Sequence, residues 1–493
     1  LSRFNILWSM TQTIMPALYS RNPKPDIQRR FKDADPIGRV AADIMERASS
    51  YFCQTDNFKQ AMKQSVIDYL LPGRGICWLR YDCDTEVVQI TNDEDVPSGD
   101  ANKLAQVDEN DKDENDITPE TMEQVTFQSV LTDYVNQEDF GHNIARTWPE
   151  VWLVWRRVFM TRSELKKRFK EKGKLPPLDY KEKDINDRSQ NSVIGKATIY
   201  ELWDKRTARA LWMHKDVPEF LDEQDDPLGI EGFFPVPRPL TTNLINDSLI
   251  PTPDYIQYQD QAMELDSLTS RIASIHKSLK VAGVYDASAP GIARVLSEGV
   301  ENELIPVEQW AIFGDKGGMA GVMQLLPLQE ISSALVSLYQ ARDQVKNVLY
   351  EVTGISDIVR GVSNPYETKA AQDLKANFAL QRISDRQDEV QMFVRNIVVI
   401  MTNIICNHFL AETLAKISGV RLFTDEQKQQ IQAGVQPQQI MPGLSEHQIE
   451  SMMADPSWEE VMALIKDQPT RNFRIDIETD SLVKKDEEAD RES

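Results

Sequence analysis

From residue 35 the apolar positions recur at three- and four-residue steps, the period of a helix with one face turned to a core. Ile37, Val40, Ile44, Ala48 and Tyr51 make that face. Asp35-Pro36 opens the helix: a capping residue, then proline at the first helical position. A second helix is expected over residues 56–71, where Pro72-Gly73 stops it. The period then drops toward two. "ICWLRYD" reads as a strand and "EVVQI" as its hairpin partner. Strands resume at "VTFQSVLTDYV" and "EVWLVWRRVFM". "TRSEL" carries a capping box, Thr161 with Glu164, and opens a short basic helix. "ATIYELWDKRTARALWM" predicts a hairpin turning near residues 205–207, and the prolines of "FFPVPRPL" make that stretch an extended connector.

At Asp254 the pattern changes to long helices. Leu265, Leu268, Ile272, Ile275 and Leu279 step by 3, 4, 3 and 4, the narrow seam of a helix packed lengthwise on other helices. Its acids come early and Arg271, Lys277 and Lys280 come late, in the order the helix dipole favours. Glycines crowd residues 283–321, with "ELIPVEQWAIF" as a strand. A second long helix is expected over 329–353 and a third over 369–410, which at 1.5 Å per residue would reach about 60 Å. Between these two lie Gly354, Ile358, Arg360, Gly361, Ser363, Asn364 and Pro365. Gly354 can end the helix in the left-handed region, and Gly361 with Asn364-Pro365 permits a reversal. "IQAGVQPQQIMPG" reads as a loop and "RNFRIDIETDSL" as a strand.

Composition adds constraints. Residues 91–120 hold eleven acids and two lysines and read as a solvated insertion. A calcium loop starting at Asp111, Asp113 and Asn115 fails its template, because Asp116 stands where glycine is needed and Met122 where glutamate is needed. The net charge of −23 argues against a protein that grips nucleic acid through a continuous basic surface. It leaves open one that surrounds nucleic acid without holding it. Cys53, Cys77, Cys83 and Cys406 form no C-x-x-C pair and read as reduced, mostly buried thiols. "FVRNIVVIMTNIICNHFL" is interrupted by polar residues and reads as a buried helix, so no membrane is expected. With neither an initiator Met nor a signal pattern at "LSRFNILW", the chain is open to being part of a longer protein.

The sequence carries no familiar catalytic motif. There is no G-x-x-x-x-G-K-S/T, no H-E-x-x-H and no G-x-S-x-G. Asp476, Glu478 and Asp480 alternate, so a strand would point all three to one face, where a metal-dependent DNA-processing enzyme could hold Mg²⁺. The competing reading is an amphipathic strand with Phe473, Ile475 and Ile477 inward and the acids in water. No catalytic residue, metal or cofactor is expected. The heptad alone would also suit a coiled-coil scaffold, but that explains neither the tryptophan-rich hairpins nor the proline connector.

Six stretches stand in an order that resembles the portal proteins of tailed bacteriophages, the head-to-tail connectors, and especially the short-tailed phage type. They are "DYLLPGRGICWLRYD", "RRVFMTRSELKKRF", "ATIYELWDKRTARALWM", "LGIEGFFPVPRPLTTNLINDSLIPTPDYIQYQDQAMELDSL", "VTGISDIVRGVSNPYETKAAQ" and "FRIDIETDSL". The resemblance implies an α+β, mainly α portal fold with wing, stem, clip and crown. Residues 1–253 would be wing, 254–281 and 329–353 the stem helices, and 282–328 the clip. Residues 354–368 would be the channel (tunnel) loop, 369–410 a long wing helix, and 411–493 the crown and a strand returning to the wing.

The function so implied is that of a non-enzymatic ring, usually of twelve subunits, at one capsid vertex of the virion. Double-stranded DNA would be packaged and ejected through it. The terminase large subunit and then a head-tail adaptor would dock on it. Major capsid and scaffolding proteins would be its other partners, with assembly in the host cytoplasm. The stem seam would pack on neighbouring subunits. Arg271, Lys277, Lys280, Arg342 and Lys346, with Arg360 and Lys369 around the loop, would be candidates for weak DNA contacts or for salt bridges.

Overall fold

The computed structural model of the chain describes residues 3–30, 35–89, 121–169, 175–183, 193–278, 283–285, 323–325, 328–354, 369–436 and 446–478. The first half runs α1 (Ile6–Leu18), β1 (Pro25–Arg29), α2 (Pro36–Cys53), α3 (Asp56–Leu70), β2 (Arg74–Gly75), β3 (Cys77–Gln89), β4 (Thr121–Tyr134), β5 (Phe140–His142), β6 (Leu153–Met160), α4 (Arg162–Arg168), β7 (Tyr180–Lys183), β8 (Val193–Asp204), β9 (Arg209–Met213) and β10 (Asp222–Asp225). Three two-residue strands follow: β11 (Leu240–Thr241), β12 (Asn243–Leu244) and β13 (Pro251–Thr252). The second half runs α5 (Tyr255–Ser278), β14 (Gly283–Tyr285), β15 (Met323–Leu325), α6 (Leu328–Thr353), α7 (Lys369–His408), α8 (Ala411–Ser418), α9 (Asp425–Gln432), α10 (Glu446–Ala454), α11 (Trp458–Lys466), α12 (Gln468–Arg471) and β16 (Phe473–Ile477). The class is mixed α and β with helix in excess.

Two compact units share this chain. One joins residues 1–16 to 253–385, and the other joins 17–252 to 386–493. The change of pattern at Asp254 therefore coincides with a change of unit. The first sixteen residues do not stay with the stretch up to 253.

In the smaller unit, α5 packs along α6. Tyr258, Ala262 and Leu265 meet Leu349, and Ile6 and Met10 of α1 complete the cluster. β14 pairs antiparallel with β15, Val284 opposite Gln324, so the chain closes on itself between the two helices.

In the larger unit, α2 and α3 pack with the end of α7. Asp35 caps α2 by accepting from the Ile37 and Gly38 amides, as the sequence predicts. The buried face is Ala41, Ile44, Met45, Ala48 and Phe52, so Tyr51 turns outward instead. Residues Ile383–His408 are long and apolar enough to cross a membrane by composition, and much of that stretch is buried within the protein. Val394, Ile397, Met401, Ile404 and Ile405 are fully enclosed. Ser49 Oγ lies 3.0 Å from Thr402 Oγ1, tying α2 to α7.

The main sheet has the order β10-β9-β8-β6-β5, with β7 also on β8. The β8–β9 hairpin and the Thr161–Glu164 capping box match the sequence reading. "EVVQI" does not. It continues β3, whose partner is β4, from Cys77↔Tyr134 to Gln89↔Thr121 with a bulge at Asp84/Thr85. "YDCD" lacks the Gly or Asn that a two-residue turn demands, so the strand runs on. The insertion 91–120, with the calcium-loop candidates Asp111, Asp113 and Asn115, lies outside the described residues, as does "ELIPVEQWAIF".

Candidate functional site

The seam expected to pack on neighbouring subunits is filled within the chain. Leu265, Leu268 and Ile272 are buried and Ile275 is half-buried, while Leu279 is outside the residues whose side chains are described. Around Leu265 the filling comes from α6 and from the N-terminal helix. No signal at long helical spacing could announce this, because α1 lies some 250 residues away in sequence.

The candidate DNA-facing charges do not form one stripe. Arg271 and Lys277 are exposed. At about 100° per residue they fall roughly 120° to either side of Leu265, on opposite flanks of α5. Arg342 is committed to packing. Its guanidinium lies 4.9 Å from the Tyr339 ring centroid and 5.9 Å from that of Phe4, and its Nη2 is 3.7 Å from Asp343. Its Nε is buried without a hydrogen-bond partner. Lys346 is half-buried one helical turn before Leu349. Lys280 and Arg360 are outside the described residues, and the Lys369 side chain is not described.

Of the loop residues only Gly354 is described. Its φ is 71° and its N–H donates to the Glu351 carbonyl at 3.2 Å, so it ends α6 in the left-handed region that glycine adopts without strain. Ile358, Gly361, Ser363, Asn364 and Pro365 lie outside the described residues.

The acids of the last strand are engaged elsewhere. Ile475 and Ile477 are buried, as an amphipathic strand requires, although Phe473 is only half-buried. Asp476 is 3.4 Å from Arg474 and 3.7 Å from Arg395. Glu478 pairs with Lys24 at 3.5 Å where β16 meets β1. Asp480 is outside the described residues. Each described acid of this trio is thus held by a base.

Two clefts went unread in the sequence. In the smaller unit, Arg3 and Arg271 share an open cleft of about 610 Å³ on α5. In the larger unit, a polar cleft of about 410 Å³ is lined by Glu138, Asp139, Arg157, Asp179, Tyr200 and Lys215. Its charges are largely paired: Arg157 Nη2 lies 2.7 Å from Asp139, and Lys215 Nζ lies 3.1 Å from Asp179. Burial would raise the Asp179 pKa, but the Thr198 amide and Lys215 outweigh it and hold the carboxyl at about 2. His214 is fully enclosed beside it. Its Nδ1 accepts from the Asp216 amide at 3.1 Å, so its other nitrogen carries the hydrogen and faces Asp179 at 3.7 Å. Both cations of that cleft are thus held in ion pairs, while the enclosed His214 Nε2 has no hydrogen-bond partner among the described residues.

No protein-family model matches the chain, and no curated protein matches it in sequence.

Proposed function

We propose that the chain is a portal protein: a ring-forming, non-enzymatic subunit through which double-stranded DNA enters and leaves a phage capsid. The reading begins with the six ordered stretches. The observation that carries it furthest is a sequence of parts: a 24-residue helix, a small segment closed by β14 and β15, a 26-residue helix packed on the first, and a 40-residue helix beyond. These would be stem, clip, stem and long wing helix, with 354–368 as the channel loop. An acidic chain suits a conduit, because a strongly basic lining would hold a rod carrying one charge per ~1.7 Å.

Solvent-facing apolar side chains add support. Ile256 and Met263 on α5, and Val336, Val348 and Val352 on α6, are each about half exposed. A second copy is the cover a closed ring supplies. With its acids paired to bases, β16 offers nothing that favours the metal-dependent enzyme.

Native mass spectrometry or negative-stain imaging of the purified protein is the test. A ring of about a dozen subunits with a central hole is expected. A monodisperse monomer, with and without scaffolding protein, would remove the proposal. If the ring forms, Gly361→Pro is expected to spare it and to impair DNA packaging or retention.

A further inference from the structure

The cleft that holds Arg3 and Arg271 is built rather than incidental. The Phe4 amide donates to Asp266 Oδ1 at 2.8 Å, and the Phe4 ring packs against the cluster of Ile6, Leu265 and Leu349. The N-terminal segment is thereby pinned on α5 one residue after Arg3. Ser267, Ser270 and Ser274 step by 3 and 4 along α5 and line the cleft. Ser274 Oγ donates to the Ser270 carbonyl at 3.0 Å, and the small size of the serines lets a ligand approach the helix closely. Among the described residues the only acid in the lining is Asp266, and it is engaged with Phe4. Among the described residues neither Arg3 nor Arg271 has an ion-pair partner, in a chain whose net charge is −23.

Two planar guanidinium forks lining one open cleft suit a tetrahedral oxyanion, which offers acceptors to both. We propose that this cleft binds one phosphate group, and that its source is the backbone of double-stranded DNA. The choice of DNA as source rests on the portal reading; the phosphate chemistry does not. Position along the backbone, not base sequence, is what such a contact fixes.

The experiment is titration of the full chain with a short labelled duplex at low salt, followed by salt dependence and competition with inorganic phosphate. Wild type is compared with Arg3→Gln, Arg271→Gln, the double variant, and Arg209→Gln as a control far along the chain. The double variant is expected to bind roughly tenfold more weakly. Its log–log salt slope should fall by about one, while Arg209→Gln stays at the wild-type value. Arg271→Lys, which keeps the charge but loses the fork, should fall between. Competition by inorganic phosphate would show that the cleft takes any phosphate; binding that resists it would assign the cleft to the DNA backbone.

Wild-type affinity and slope in the double variant would overturn the inference. So would loss of subunit assembly in the double variant with duplex binding retained, because the arginines would then serve a neighbour's acids. The two readings separate cleanly. A ring whose DNA binding ignores both arginines keeps the portal and loses the cleft. Arginine-dependent binding by a monomer keeps the cleft and loses the portal.

Discussion

Arg156 is enclosed in the larger unit, and every charge around it is accounted for. Its Nε donates to Glu201 at 2.7 Å, its Nη1 donates to Asp133 at 3.1 Å, and it lies 4.7 Å over the Trp78 ring. Trp203 Nε1 donates to the other oxygen of Glu201 at 3.0 Å. Arg156→Met would leave Glu201 buried without its counter-charge, and a loss of about 3–5 kcal/mol in urea unfolding is expected. Sequence alone offers "WRR" and no way to choose which arginine faces in. The choice is made by strand register, Arg156 opposite Glu201, across some forty-five residues. Asp179 carries a pH signature instead. Its folded pKa of about 2 lies below the ordinary carboxylate value. Its contribution is therefore complete above about pH 4 and is lost as pH falls toward 2. The melting-temperature gap between wild type and Asp179→Asn should be constant from pH 7 to about 5 and should close toward pH 2. A gap that persists unchanged at pH 2 would contradict this.

At the scale of elements, the helix ends written in local sequence were legible, and those finished by distant chain were not. Asp35, Thr161 and Gly354 each do locally what their residue types predict. The end of α7 is different. Gln128 of β4, almost fully buried, donates to the His408 carbonyl at 2.8 Å and to Tyr81 Oη at 2.7 Å, and it accepts from the Leu410 amide at 2.7 Å. Nothing near residue 408 hints at a glutamine from residue 128. Gln128→Ala would leave the part-buried His408 carbonyl and Leu410 amide without this partner, and about 1–3 kcal/mol of stability should be lost. Hydrogen exchange should quicken at the end of α7 before it does so in α2. The misassigned partner of β3 has the same origin: pairing crosses the insertion 91–120, and local alternation cannot see past it. The α1 helix runs through Pro16, a residue that usually ends a helix, so local sequence does not announce it; its apolar face packs on α5 and α6.

For the molecule as a whole, charge and apolar surface pull in opposite directions. Each copy carries −23, so copies repel one another. Against this, Met263 is 59% exposed on α5 and Val336 is 54% exposed on α6. Both are exposed, so replacing both by aspartate should leave the monomer's circular dichroism and melting temperature nearly unchanged, since exposed substitutions usually shift stability by about 0.5 kcal/mol or less. If these faces are covered by a second copy, the same substitutions add desolvated charge to every interface of a closed ring, and assembly should fail. Ionic strength supplies an independent check. Salt screens the repulsion between copies, with a Debye length near 10 Å at 0.1 M, and leaves apolar contact intact. Assembly of the wild type should therefore strengthen as salt rises, while the phosphate contact at Arg3 and Arg271 weakens. Native mass spectra across a salt series would show both trends in one protein; assembly that dissolves on adding salt would mean that ion pairs, not Met263 and Val336, join the copies.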